Sequence, residues 1–358
     1  TGSSDYGFNG AIDQVGIYNF GLDANAIAAL ADLDGETGEE GTYLFSFGAV
    51  ADPQYKDANP AGSRYYRNSL TKLPVMVEDF NARDLEFVIC LGDFIDAGFE
   101  SFEPMMEIWD DLIHTSYQVV GNHDLSIGNH TLAEVVEVLN IPSNYYEFES
   151  QGWRFFVLDG NDAGYGIHSA EQLAWVRDGL DDALEAGQPV IIFDHYPIYP
   201  PGTAHISPQA TELLTLLADY PNVRAWMNGH NHGGAYGESG DIHFINLEGM
   251  VETADTTAYA EIEIWTDRIE VKGEGREPNR TLYFPEFADS DLEVPAGVEI
   301  IDPNHVIATL VEPKKLVMTL KVCTGVGYEP AENNHNKGVD SLHLDAIFSP
   351  VKRVNYKV

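Results

Sequence analysis

Short apolar runs alternate with amphipathic stretches through the middle of this chain, and no other feature limits its fold so strongly. Tyr43–Val50, Phe87–Leu91, Gln118–Val120, Phe155–Leu158, Val190–Phe193, Ala225–Met227 and His243–Leu247 have the length and apolar content of buried strands. Between them, Arg64–Asn81, Ala170–Glu185 and Gln209–Ala218 read as helices. This order predicts an α/β domain with helices packed on a central sheet. The longest apolar runs, such as Pro189 to Phe193, fall far short of the roughly 20 residues a membrane helix needs. No membrane partner is expected.

The 358 residues are enough for two domains, or for one with appendages. With 44% hydrophobic residues the chain can bury a large core. Its 58 acidic and 19 basic residues leave a formal net charge of −39. Such a surface repels phosphate backbones, so sequence-independent nucleic-acid binding is not expected. Bound metal cations can still reverse the field locally and admit an anionic substrate. Cys90 lies in an apolar run and reads as a core residue, and neither it nor Cys323 belongs to a CxxC pair.

Five short motifs follow the strand candidates: Asp52-Pro53-Gln54, Gly92-Asp93-Phe94-Ile95-Asp96, Gly121-Asn122-His123-Asp124, Asp194-His195-Tyr196-Pro197 and Gly229-His230-Asn231-His232. Each alone is a weak signal. Together they put carboxylate, amide or imidazole groups after five strands, where open α/β sheets bind ligands. Mixed oxygen and nitrogen donors suit Mn²⁺, Fe²⁺ or Zn²⁺. A carboxylate, with two oxygens, can bridge two such ions, and a pair of ions can activate water and clamp a phosphoryl group.

This order of motifs resembles the calcineurin-like metallophosphoesterases, and more narrowly their manganese-dependent ADP-ribose/CDP-alcohol diphosphatase branch. Arg64-Tyr65-Tyr66-Arg67-Asn68-Ser69-Leu70, Gly233-Gly234-Ala235-Tyr236, Asn246 to Thr253 and Gly273 to Leu282 extend the likeness. The resemblance implies a layered sandwich of β-sheets flanked by helices. It implies two divalent metal ions, manganese first, with Fe²⁺ or Zn²⁺ as alternatives. Asp52, Gln54 and His232 would hold one ion; Asn122, His195 and His230 the other; Asp93 would bridge them. The implied reaction cleaves the phosphoanhydride of a nucleoside diphosphate derivative by means of a metal-bridging hydroxide. His123 would stabilise the transition state or protonate the leaving oxygen, and Asp124 would orient its ring or else cap a helix. Asp96 reads equally well as a turn residue. Arg64 and Arg67 pair either with substrate phosphate or with local carboxylates, while Tyr65 and Tyr66 read as packing residues. His114, His168, His205 and His243 read as surface or turn histidines, with His243 near enough to the site to support it.

The flanks point elsewhere. Phe8 to Tyr18 and Leu22 to Leu30 resemble the last strand and closing helix of a laminin-G-like sandwich. One strand cannot make a sandwich, so the rest of that domain is expected upstream. Residues 1–42 are therefore taken as this remnant and a linker, 43–284 as the phosphoesterase domain, and 285–358 as a third segment. Ala296 to Leu310, Gly325 to Asn333 and Ile347 to Val358 resemble the inserted subdomain of the bacterial RNA polymerase alpha subunit. That implies a β-rich appendage without a role in transcription. The first flank suggests a secreted or periplasmic protein, the last a cytoplasmic one, and the chain opens at Thr1 without a charged and apolar leader. Two other functions compete: a broader phosphodiesterase or phosphomonoesterase, and a fragment of a secreted carbohydrate- or surface-binding protein.

Overall fold

The computed structural model describes residues 41–284 and two short paired strands, Tyr328–Glu329 and Ala346–Ile347. The segment expected to be a laminin-G-like remnant and nearly all of the polymerase-like tail lie outside the described residues. Glu40–Glu286 form one compact unit. Its strands are β1 (Tyr43–Val50), β2 (Phe87–Cys90), β3 (Thr115–Gln118), β4 (Tyr146–Ser150), β5 (Trp153–Val157), β6 (Val190–Phe193), β7 (Val223–Asn228), β8 (Gly233–Ser239), β9 (Ile242–Glu248), β10 (Ala258–Trp265), β11 (Arg268–Gly275) and β12 (Arg280–Tyr283). Its helices are α1 (Ser69–Asn81), α2 (Phe102–Trp109), α3 (Leu132–Val138), α4 (Ala170–Glu185) and α5 (Ala210–Leu217).

Two six-stranded sheets result, ordered β12-β11-β10-β1-β2-β3 and β4-β5-β6-β7-β9-β8. β1, β2 and β3 run parallel, as do β5, β6, β7 and β9, and antiparallel strands complete each sheet. The apolar runs of the second sheet are buried on both faces. Phe155, Ile191, Phe193, Ala225 and Met227 pack toward the first sheet, against Phe45, Phe47 and Phe87. Their alternates Phe156, Ile192 and Trp226 pack against Leu173, Val176 and Leu180 of α4 and Leu213 and Leu217 of α5. This two-faced burial explains continuous apolar strands in place of alternating ones. Between the sheets the aromatics interlock: Phe47 stacks on Phe87 at 4.6 Å, and Phe87 meets Phe155 edge-on at 5.1 Å.

Helix boundaries follow local chemistry. The Ser169 side chain caps α4 by accepting from Gln172 N at 3.1 Å. Gly187, at φ +67°, follows the end of the same helix. The helix expected from Arg64 begins only at Ser69, after a single 3₁₀ turn at Tyr66–Asn68. The preceding backbone is committed elsewhere: Arg64 bridges to Glu252, and Tyr65 N donates to Val251 O at 2.9 Å. β3 likewise ends at Gln118, earlier than expected, because Val119 onward already forms the loop entering the site. No helix among the described residues is long and apolar enough to cross a membrane.

Candidate active site

The parallel strands carry the motifs to one place. Asp52 and Gln54 follow β1, Asp93 follows β2, and Asn122 and His123 follow β3. His195 follows β6, and His230 and His232 follow β7 of the other sheet. The loops are stitched together by backbone and carboxylate: Asp52 N donates to Gly92 O at 3.2 Å and Gln54 N to Asp93 O at 2.9 Å. His123 N donates to Asp93 Oδ1 at 2.7 Å and His230 N to Asp52 Oδ2 at 3.0 Å. Asp52, Gln54, Asp93 and His230 all adopt positive φ, between 43° and 68°. For non-glycine residues this costs on the order of 1–3 kcal/mol each, and it persists only where the surroundings enforce it.

The side chains form a connected, buried cluster. Gln54 Nε2 donates to Asp93 Oδ2 at 2.9 Å. His195 Nε2 lies 3.1 Å from the same oxygen and 3.0 Å from His230 Nδ1. His232 Nε2 is 3.4 Å from Asp52 Oδ1. The outer ring nitrogens are also engaged: His195 Nδ1 faces Leu91 O at 2.9 Å, and His232 Nδ1 faces Glu252 Oε1 at 2.7 Å. The structure thus links six of the seven residues expected to hold metal. The seventh, Asn122, joins them through its neighbour His123, whose amide reaches Asp93.

The glycines of the GD, GN and GH motifs have a steric purpose. A Cβ on Gly92 would lie 2.6 Å from His195 Nδ1, on Gly121 2.2 Å from Asp93 N and Oδ1, and on Gly229 2.6 Å from Asp52 Oδ2. Each glycine leaves room for a site residue from another strand end: Gly121 for one from the adjacent strand, Gly92 and Gly229 for one from the opposite sheet.

The electrostatics favour cations. Burial opposes charge on His195, but Asp93, aided by Asp52, outweighs it and lifts the imidazole to about 10. Burial likewise opposes charge on His232, yet Asp52 and Glu252 raise it to about 9. Burial pushes the Asp93 carboxyl up, but His195 and His123 hold it well below the usual carboxylate range. His230, buried beside His195, is held far below the ordinary histidine value. Two buried carboxylates thus hold positive charge around them on two imidazoles.

The donor set fits divalent metal ions. The buried Gln54 Oε1 and Asn122 Oδ1 have no hydrogen-bond partner. The Gln54 amide is oriented with its NH₂ toward Asp93, so its oxygen must face the other way. Unsatisfied buried oxygens cost about 1–3 kcal/mol each, and a hard or borderline cation would satisfy them. Ligand-type atoms of Asp93, His195 and His230 lie within 4.8 Å of one another.

Two expectations need correction, and for Arg67 one of its two open readings, the local carboxylate, is the one seen. Asp124 does not orient His123, because its two oxygens are taken by Ile95 N at 3.0 Å and Gly121 N at 2.9 Å. It is a buried brace between two loops, and burial together with the Asp93 charge raises its carboxyl to about 7. The His123 ring is held instead by Asp96, with Nδ1 2.8 Å from the backbone carbonyl and 3.4 Å from Oδ1. Arg67 is drawn to Asp57 at 2.5 Å and Asn59 at 3.0 Å, away from the cluster's partners. Arg64, in contrast, stands at the rim, 3.9 Å from Asp96 and 4.0 Å from Glu252. His168 and His243 are buried rather than surface histidines, His168 on Asp194 at 2.5 Å and His243 between Tyr236 and Tyr283. His114 is half-buried on Phe80 O, and His205 is exposed with its ring 5.3 Å from that of His230.

Sequence reasoning missed Glu252 and Lys56. Glu252 lay inside a quoted motif, but its contact with His232 spans 20 residues. Lys56, two residues beyond Gln54, reaches Asp96 Oδ2 at 3.3 Å. Lys72 was missed as well: it ties α1 to the Glu252 loop by donating to the carbonyls of Met250, Glu252 and Thr253 at 2.7–2.8 Å.

A two-sheet sandwich with a carboxylate–amide–imidazole cluster at the strand ends is the framework of a metal-dependent phosphoesterase. Residues 45–234 match the calcineurin-like phosphoesterase family, and the chain belongs to it. It is 28% identical over 296 residues to the manganese-dependent ADP-ribose/CDP-alcohol diphosphatase of Arabidopsis thaliana, covering 65% of this chain and 95% of that one. The human protein of the same name is 26% identical over 318 residues, covering 67% and 94%. The fold superposes on a dimetal phosphatase from Danio rerio with a TM-score of 0.62 and 23% identity, covering 68% of this chain and 100% of the other. Residues 239–349 match the RNA polymerase Rpb3/RpoA insert domain. A stretch of 71 residues, 19% of this chain, is 48% identical to the RNA polymerase alpha subunit of Synechocystis, covering 23% of that protein. The insert-domain match begins in β8, although β9 to β12 belong to the two sheets of the phosphoesterase sandwich.

Proposed function

We propose that this chain hydrolyses the phosphoanhydride of small nucleoside diphosphate derivatives, ADP-ribose or CDP-alcohols, with two divalent cations, manganese first. The observation that carries this reading is the cluster built around Asp93, with the two unpartnered amide oxygens of Gln54 and Asn122 beside it. Asp52, Gln54 and His232 would hold one ion, Asn122, His195 and His230 the other, and Asp93 both. Bound there, the ions supply Lewis-acid neutralisation of phosphate charge and lower the pKa of water.

The chain's own groups do the rest. His123 Nδ1–H donates to the Asp96 carbonyl, which fixes the ring; as the imidazolium it also carries Nε2–H, and it would pass that proton to the leaving oxygen and return to neutral imidazole. Both carboxylate contacts of Arg64 are longer than a hydrogen bond, so its guanidinium fork can engage a substrate phosphate. Lys56 stands beside it on Asp96 and adds a second positive charge at the rim.

A screen of the purified chain with Mn²⁺, Mg²⁺ and Zn²⁺ tests the reading. ADP-ribose and CDP-alcohols should be cleaved with Mn²⁺ in preference to p-nitrophenyl phosphates. Equal or better turnover of the p-nitrophenyl esters would favour a broader phosphodiesterase or phosphomonoesterase. Inactivity on all of them with Mn²⁺ would refute both.

A further inference from the structure

Two of the three histidines proposed as ligands have their outward ring nitrogens held by ordinary acceptors, Leu91 O for His195 and Glu252 Oε1 for His232. The third is treated differently. His230 turns Nδ1 inward, toward His195 Nε2 at 3.0 Å, and its Nε2 lies 2.6 Å from the phenol oxygen of Tyr165. Tyr165 comes from the loop between β5 and α4, and no feature of the sequence marked it. Its side chain is 54% exposed, with its ring edge-on to Tyr196 at 5.1 Å and to His230 at 5.5 Å.

The loop is built to hold it there. Tyr165 sits between Gly164 and Gly166, both at positive φ, at the tip of a tight turn. Ala163 N donates to Ile167 O at 2.9 Å, Ile167 N to Gly160 O at 2.7 Å, and Ser207 Oγ to Gly166 O at 2.7 Å. Where the loop returns to the core, His168 is clamped on Asp194, the residue preceding His195. An exposed tyrosine on so tightly tied a tip is placed, not free to wander.

We propose that Tyr165 is a positioning residue for one of the two cation positions, accepting a hydrogen bond from His230 Nε2–H so that Nδ1 offers its lone pair to the site. The inference rests on the reading of His230 as a ligand. A neutral imidazole carries one N–H, and a fixed acceptor on Nε2 decides which nitrogen remains bare. Because both the hydrogen bond and the ring contact that Tyr165 makes to a proposed ligand are with His230, its effect should fall on the ion held by Asn122, His195 and His230. Glu252 should act in the same way on the ion held by Asp52, Gln54 and His232.

The test is a Mn²⁺ titration of the EDTA-stripped full chain by calorimetry, comparing wild type, Tyr165→Phe and Glu252→Gln. Phenylalanine keeps the ring contacts and removes only the oxygen. Tyr165→Phe is expected to weaken one class of Mn²⁺ site by roughly 10–100-fold, leaving the other class and the metal-free thermal midpoint as in wild type. Glu252→Gln should weaken the other class. Wild-type affinity at both sites in Tyr165→Phe would overturn the inference. So would equal weakening of both sites with a lowered metal-free midpoint, which would mark a merely structural role. A wild-type chain that binds no Mn²⁺ would overturn the metal-site reading itself, and this inference with it.

Discussion

Gly121→Ala tests the link between strand packing and site geometry most directly. The added methyl would be placed 2.2 Å from both the backbone nitrogen and Oδ1 of Asp93. Ordinary contact needs about 3.5 Å, so the loops after β2 and β3 must part by roughly 1 Å. No rotamer change relieves the overlap, because one of the atoms met is backbone. The movement would also strain the bond from His123 N to Asp93 Oδ1, now 2.7 Å. Overpacking of this kind costs about 1–3 kcal/mol of stability, and a misplacement of about 1 Å can lower turnover by roughly 100-fold. The assay pairs kcat/KM with Mn²⁺ against the thermal midpoint. Gly187→Ala is the control: its glycine has positive φ but open space around it, so about 1 kcal/mol should be lost with activity unchanged. A Gly121→Ala enzyme within threefold of wild-type kcat/KM would refute the steric account of the motif glycines.

His123→Ala should bind two Mn²⁺ yet lose roughly 10²–10⁴ in kcat, as expected for a proton donor; near-full activity would contradict that role. Asp93→Ala should lose the ion pair, so two Mn²⁺ per chain by metal analysis would count against the bridge. Arg64→Ala should raise KM for ADP-ribose while Arg67→Ala leaves it unchanged, and the reverse result would undo the assignment at the rim. His243 is buried in β9, with Tyr236 Oη donating to Nδ1 and Nε2–H donating to Tyr283 O, each at 3.0 Å. Burial, only partly offset by the Tyr283 bond and reinforced by Arg224, lowers its pKa to about 4 from 6.5. The unfolded chain then binds that proton more tightly, so about 3 kcal/mol present above pH 6.5 should be lost as pH falls toward 4. Urea midpoints of the EDTA-treated protein at pH 7 and pH 4.5 should show this loss in wild type and a smaller one in His243→Phe. An equal loss in both would place the acid sensitivity elsewhere.

The seven proposed ligands were legible in the sequence because each lies within a few residues of the end of a strand, largely buried in every case but the edge strand β3. Parallel strands carry such positions to a common edge by themselves, and a continuous apolar run reveals its strand without knowledge of its neighbours. The layered fold followed from the same runs. Partners supplied from another stretch of chain were a different matter. Whether His123 leans on Asp124 or Asp96 depends on the path of the loop after β2, where Ile95 N reaches the Asp124 carboxylate first. Arg64 and Arg67 stand three residues apart in one motif, yet only the backbone bridge from Arg64 to Glu252 decides which of them faces the site. Glu252 and Tyr165 meet His232 and His230 across 20 and 65 residues, and no local pattern encodes such a meeting. The glycines before Asp93, Asn122 and His230 belong to both levels: the sequence displays them, but the reason for them is a residue from another strand end, in two cases of the opposite sheet, which meets them only once the sheets have closed.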